Sequence, residues 1–223
     1  MHNKLENNIE QIVENLQTAY LNKIREIKNP YHIKYDKYKV IILPNVFPPY
    51  IENQLIIDNV TFAKNDYVLD ACAGVGLLSI HAGLNCKKVV ATDINSDAIR
   101  NININARSYH LQSKIQAIEI DTYPEQNNIK FDKILSIPPF SNKKAKSIIE
   151  KSVWDDQHHV IKKLFSGLRN YLAENGFLYL VWSSIGDFAT IFNLTKKHKC
   201  RIREIASIND EISIFTLFEI QLM

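Results

Sequence analysis

Cysteine is scarce in this chain: Cys72, Cys86 and Cys200 are the three among 223 residues. They form no CxxC pair and no Cys/His set at zinc-ligand spacing, which argues against a disulfide framework or a structural metal and fits a reducing, cytoplasmic compartment. A long apolar run is also missing. No stretch approaches the ~18 apolar residues of a membrane span, and "MHNKLENNIEQIVENL" carries Glu and Asn where a signal peptide needs an unbroken apolar core. Neither sign of charge dominates: 27 Lys plus Arg against 24 Asp plus Glu leave a net +3, too little to require a nucleic-acid partner on charge alone. Internal repeats and low-complexity segments are absent. What is present is 46% hydrophobic content, enough for one sizeable core and a small appendage.

Apolar residues at Leu5, Ile9, Ile12, Leu16, Tyr20 and Ile24 recur every three to four positions, which predicts one amphipathic helix ending near Pro30. Residues 31–50, "YHIKYDKYKVIILPNVFPPY", read as a short hairpin and a loop, and "IENQLIIDNVTFA" as a helix. From Asp66 the pattern alternates. Strands are predicted at "YVLDA", "KVVATDI", "IQAIEI", "KILSI", "FLYLVWS", "CRIREIAS" and "ISIFTLFEIQL", with helices near 76–84, 96–108, 155–172 and 187–197. Asn95 or Ser96 with Asp97 starts the second of these helices, and Asn175-Gly176 reads as the C-cap of the third. Strands alternating with helices imply a mostly parallel sheet covered on both faces, because each parallel crossover needs a helix-length connection. Only "INDE" joins the last two strands, so one of them runs antiparallel. The division that follows is a helix and hairpin cover over 1–50 and an α/β domain over 51–223.

The first strand of the alternating region runs into Asp70-Ala71-Cys72-Ala73-Gly74-Val75-Gly76, a strand-to-helix turn where glycines let a ligand lie against the backbone. Ser79 stands where a dinucleotide fingerprint has its third glycine, and Asp70 would repel a pyrophosphate, so a dinucleotide is disfavoured. Asp93 ends the next strand, where a carboxylate can accept from both hydroxyls of a ribose. Asp121 ends the third and can accept from an adenine amino group. Acids at the ends of three successive strands form a nucleoside-binding pattern.

On these residues the chain from about Asp66 onward resembles the class I methyltransferases that use S-adenosylmethionine. "VLDACAGVG" is similar to their glycine loop, "VVATDIN" to their ribose-binding strand end, "IEIDTY" to their adenine-contacting strand end and "LAENGFLYLV" to the turn into their fifth strand. The resemblance implies a three-layer α/β sandwich with a seven-stranded sheet whose last strand is antiparallel. It also implies that Asp70 and the backbone of Ala71, Cys72, Ala73, Gly74 and Gly76 hold the methionine part, Asp93 the ribose, and Ile94, Asp121 and Thr122 the adenine. No metal is implied.

The fourth strand ends in Ser136-Ile137-Pro138-Pro139-Phe140. The branch that includes HemK-like protein-glutamine and ribosomal RNA guanine enzymes ends this strand in Asn-Pro-Pro-Tyr or Phe, where the Asn accepts from a planar NH2 group. Ile137 can neither accept nor donate, and losing a contact to a polarised group costs about 1.5–3 kcal/mol. The resemblance therefore places polar contacts on Ser136 or on the carbonyls of Ile137 and Pro138, with Phe140 against the substrate. Phe47 and Tyr50, in a loop similar to one that crosses the pocket in that branch, and Ser184 are further substrate-side candidates. Asp155 and Asp156 read as caps of the following helix, His158 and His159 as its solvated face. The leading expectation is a cytoplasmic S-adenosylmethionine-dependent methyltransferase acting on a small molecule. Alternatives are use of the cofactor's aminocarboxypropyl arm, methylation of RNA or protein nitrogen, and a nonenzymatic cofactor-binding homologue.

Overall fold

The computed structural model describes residues 2–125 and 129–223, with side chains from Gln11 onward. It begins with α1 (His2–Glu26), a two-stranded antiparallel hairpin of β1 (Tyr31–Tyr35) and β2 (Tyr38–Ile42), and α2 (Glu52–Asn59). Then come β3 (Tyr67–Ala71), α3 (Leu77–Gly83), β4 (Lys88–Asp93), α4 (Ser96–Ser108), β5 (Ile115–Glu119) and β6 (Phe131–Ser136). The chain continues through α5 (His159–Tyr171), β7 (Leu172–Ser183), α6 (Phe188–Lys197), β8 (Cys200–Asn209) and β9 (Ile214–Leu222). Seven strands form one sheet in the order β5-β4-β3-β6-β7-β9-β8. All neighbours from β5 to β7 pair in parallel, while β9 lies antiparallel to both β7 and β8.

Both faces of the sheet are buried, as parallel strands require. Leu135, Tyr179 and Val181 face a core shared with the hairpin, α2, α3 and α4, whereas Ile134, Leu178, Leu180 and Trp182 face one shared with α5 and α6. The two sets alternate along β6 and β7, which makes three layers of one strand-period pattern. The hairpin is docked by side chains. Asn101 and Asn105, one turn apart on α4, accept from the Leu43 and Ile41 amides at 2.8 and 2.9 Å, and both donate to the Ile41 carbonyl. Buried edge groups of β2 are thereby satisfied without a further strand.

Three local expectations are corrected. Asn175-Gly176 does not cap a helix: α5 ends at Tyr171, Leu172 is extended and buried, and Gly176 lies within β7. A Cβ at Gly176 would stand 2.9 Å from the Phe131 carbonyl oxygen, so the glycine there permits close approach of β6 at a register shift. On α1, Ile12 and Leu16 of the expected stripe are 56% and 44% exposed, whereas its Tyr20 and Ile24 pack, together with Leu21, against Ile149 and Trp154. The side chains of Leu5 and Ile9 lie outside the described residues. The helix over 155–172 starts at His159, because Asp155 and the short 3-10 turn Asp156–His158 precede it.

Candidate active site

At the carboxyl end of β3 the chain turns through Cys72 (φ 64°), Gly74 (φ 54°) and Gly76 (φ 79°), all left-handed. Gly76 is required twice over: for its dihedral, and because a Cβ would press to 3.1 Å on Ile102 of α4. The turn is tied to β4 by Asp93, whose carboxylate accepts from the Gly74 and Asn95 amides at 2.9 Å each. Burial pushes the Asp93 carboxyl above the usual range, and these backbone hydrogen bonds oppose the rise. At the end of β5, Thr122 holds a left-handed φ of 65°, an outlier for a β-branched residue. Thr92 fixes it by donating to the Thr122 carbonyl at 2.7 Å, and such over-determined strain concentrates at functional sites.

Asp121 beside it accepts from Lys163 (2.9 Å), His159 (3.0 Å) and the Thr122 hydroxyl (2.8 Å). Burial works to raise this carboxyl, but the three hydrogen bonds outweigh burial and hold it below the ordinary range. Cys72 is shifted in the other direction: burial first, then the charges of Asp93, Asp121, Asp155 and Asp70, push its thiol up.

These elements wall one cleft enclosing about 940 Å³ including its open mouth. Cys72, Ala73, Gly74, Asp93, Ile94, Asp121 and Thr122 line one part of it, and Phe47, Ile137 and Pro139 another. The remaining expected site residues stand elsewhere. Asp70 is buried with its carboxylate on the Ser79 hydroxyl at 2.6 Å, and burial raises it to about 7. Ser136 is buried and donates its hydroxyl to the Ala71 carbonyl at 3.1 Å. Ala71, Gly76 and Pro138 do not line the cleft.

The Phe140 ring packs edge-on against Trp182 at 5.6 Å and tilted against Phe215 at 5.9 Å. Tyr50 turns its hydroxyl to Asp210 (3.2 Å), and the Ser184 hydroxyl accepts from the Ile214 amide (3.0 Å). Ser183 and Asp187 make local turn and cap contacts. Asp155 accepts from the Val160 amide, as a cap should. His158 and His159 do not share a solvated face: His158 lies 6.0 Å from the Trp182 ring, and His159 pairs with Asp121.

Several lining residues carried no signal in the sequence. Glu52 and Asn53 begin α2, and Ile148, Lys151, Ser152 and Val160 come from the segment after β6. That segment is held by α1, through Gln17 to Ser141 (2.7 Å) and Trp154 (3.1 Å), and Arg25 to Glu150 (2.7 Å). Tyr20 of α1 also lies 5.1 Å from the cavity-lining Phe47. Helix and cleft wall thus form one unit. Contacts 122–137 residues apart in sequence are invisible to local patterning.

An open α/β sheet in this strand order, with a glycine turn and acids at the ends of adjacent strands, defines a nucleoside-binding transferase of the class I methyltransferase type. Residues 37–203 match the methyltransferase small domain, and the chain belongs to that family. A putative protein N5-glutamine methyltransferase of Methanocaldococcus jannaschii is 30% identical over 73% of this chain and 85% of its own length. A probable tRNA (guanine(10)-N2)-dimethyltransferase of Methanothermococcus thermolithotrophicus is 30% identical over 54% of this chain and 71% of its own. In fold, Trm5 of Methanocaldococcus jannaschii in complex with adenosine superposes with a TM-score of 0.61 at 20% identity, over 88% of this chain and 57% of Trm5. The protein is an S-adenosylmethionine-dependent methyltransferase. The cleft suits that cofactor: Asp93 uses two of its roughly four acceptor positions on backbone amides and keeps two for hydroxyls, and the glycine turn leaves the backbone open.

Proposed function

We propose that this chain is a cytoplasmic N-methyltransferase whose acceptor is a side-chain amide nitrogen of a protein, and not the small molecule expected from sequence. The observation that carries the reading is a single cleft in which nucleoside-holding groups and an acceptor wall adjoin. Its support is the relative named for glutamine N5 methylation, aligned along most of both chains. Among the described residues no helix is long and apolar enough to cross a membrane.

S-adenosylmethionine supplies an electrophilic methyl group when bound. The chain's own residues bind and orient. The backbone of Cys72 to Gly74 carries the methionine part, Asp93 takes the ribose hydroxyls, and Ile94, Thr122 and the remaining acceptor position of Asp121 take the adenine. Ile137, Pro139 and Phe47 exclude water from the acceptor side, and residues 1–50 act as a cover. Positioning of this kind can contribute about 7–11 kcal/mol, so no strong general base is needed for the bulk of the rate.

The test is incubation of the full chain with methyl-labelled S-adenosylmethionine and, separately, protein and RNA extracted from cells lacking the gene. The expected result is label in protein, released as methylamine on acid hydrolysis, with S-adenosylhomocysteine as co-product. Label in RNA, or methylthioadenosine as product, would overturn the proposal.

A further inference from the structure

Glu52 is a buried acid in the first turn of α2 whose carboxylate is incompletely satisfied. It is 6% exposed, yet among the described residues its Oε2 has no hydrogen-bond partner, and its Oε1 takes a long contact of 3.4 Å from Asn53 Nδ2. Leaving a buried carboxyl oxygen unsatisfied is destabilising, and such groups persist where function needs them. Among the described residues no cation pairs with it. The charge that acts on it is Asp210 from the β8–β9 turn, and its own carboxylate acts in turn on the phenols of Tyr20 from α1, Tyr35 from β1 and Tyr50 from the preceding loop. Burial, aided by Asp210, pushes its carboxyl up to about 7. Such surroundings call for a hydrogen-bond donor from outside the chain.

The place of Glu52 indicates which donor. It lines the same cleft as the glycine turn, but α2 packs over β7, β8 and β9, on the far side of β3 from Asp93 and Asp121. Ile137, at the end of β6, stands on that side and offers no polar group. Asn53 lines the cleft next to Glu52, with its amide nitrogen donating only weakly, at 3.3 Å to the Tyr50 carbonyl and 3.4 Å to Glu52. An acceptor and a donor therefore stand side by side. A primary amide, with N–H and C=O on one plane, is complementary to that pair.

We propose that Glu52 and Asn53 form the acceptor subsite: Glu52 Oε2 accepts an N–H of the acceptor amide, and Asn53 Nδ2 donates to its carbonyl. This rests on the amide-methylation reading above. When the nitrogen gains its carbon and the carbon–sulfur bond breaks to leave a neutral thioether, the nitrogen sheds one proton, and the ionised Glu52 takes it and releases it to solvent. Transfer therefore rises with pH until Glu52 is ionised.

The full chain is compared with Glu52→Gln and Glu52→Leu in three measurements. Calorimetry with S-adenosylmethionine is expected to give affinities within twofold of one another. Label transfer to protein extract from cells lacking the gene is expected to fall at least tenfold in Glu52→Gln at pH 8, with loss of the acid limb of the pH profile. Melting at pH 8 is expected to rise by about 2–4 °C in Glu52→Leu, because an unsatisfied buried carboxylate is removed. A cofactor affinity lost in the variants alone would assign Glu52 to the cofactor and overturn the proposal. So would wild-type transfer by Glu52→Gln, or melting lowered in both variants, which marks a structural role. A wild-type chain that labels no protein refutes the amide reading itself, while the melting comparison still decides whether Glu52 is kept at a cost to stability.

Discussion

Asp93→Ala removes a carboxylate that performs two tasks. Its oxygens accept the Gly74 and Asn95 amides at 2.9 Å, which fixes the glycine turn, and its two free acceptor positions are available to ribose hydroxyls. A hydrogen bond to a charged group contributes about 1.5–3 kcal/mol, so two lost hydroxyl contacts amount to about 3–6 kcal/mol. Water entering the vacated space returns part of that, and the relaxed turn takes more away. Since about 1.4 kcal/mol is tenfold in affinity, the expected outcome is S-adenosylmethionine binding weakened at least tenfold, and by up to about a thousandfold. Asp93→Asn, which keeps one acceptor oxygen and adds an amide donor facing the Gly74 or Asn95 N–H, falls between wild type and Ala. Titration calorimetry on each full chain, with circular dichroism confirming the fold, measures both. An Asp93→Ala variant that is folded and binds within twofold of wild type refutes the assignment of this carboxylate to the ribose.

Ile137→Asn adds a polar group to a wall where Glu52 and Asn53 already supply the contacts, so methyl transfer to protein extract is expected to change less than threefold; a gain above tenfold would return the recognition role to position 137. Gly167→Ala brings a methyl group into the ring of Tyr123, which is stacked on Tyr171 at 4.3 Å and tied by its hydroxyl to the Leu164 carbonyl. Overpacking of this kind costs about 1–3 kcal/mol, read as a melting point lowered by several degrees, and an unchanged melting point would refute the packing argument. Stability should also fall as pH rises. Burial raises Asp70 from 3.8 and Glu52 from 4.5, both to about 7. Between those values the folded chain holds protons the unfolded chain has released, so stability present below about pH 4 is lost progressively up to about pH 7. Denaturant titrations across that range check the sign; stability rising toward pH 7 contradicts it, and Asp70→Asn with Glu52→Leu should flatten the slope.

The sheet was readable because its central strands β3, β4, β6 and β7 are buried on both faces and its helices carry their own stop signals. α4 matches its predicted range residue for residue, since Asn95 caps it through the Asp97 amide at 3.0 Å. The antiparallel β9 followed from a connection too short for a crossover. Asn175-Gly176 misled because an Asn-Gly pair serves a bulge as well as a cap, and the choice was made by the carbonyls of β6, 44 residues earlier in the case of Gly176 and Asp132. At the site, residues on strand ends and the glycine turn were legible, because a backbone motif dictates their spacing. Ser136 and Phe140 were singled out by motif, whereas their contacts with the Ala71 carbonyl and Trp182 depend on the tertiary fold. Glu52 was hidden within "IENQLIIDN", where an acid in a first helical turn is ordinary; its burial near Asp210 sets it apart.

The insertion of β9 between β7 and β8 governs how the chain can be completed during synthesis. β8 pairs only with β9 among the described strands, and β7 shows an open edge until β9 arrives. A ribosome-bound chain that has emerged through Asn209 therefore carries β7, twelve residues long and buried along most of its length in the finished fold, with one edge unpaired beyond its pairing to β6, and a second strand with nothing to join. Exposed edges of that kind recruit other chains. Truncation before Ile214 should for this reason produce aggregation, whereas a lesion in the cleft should leave a well-behaved but inactive protein.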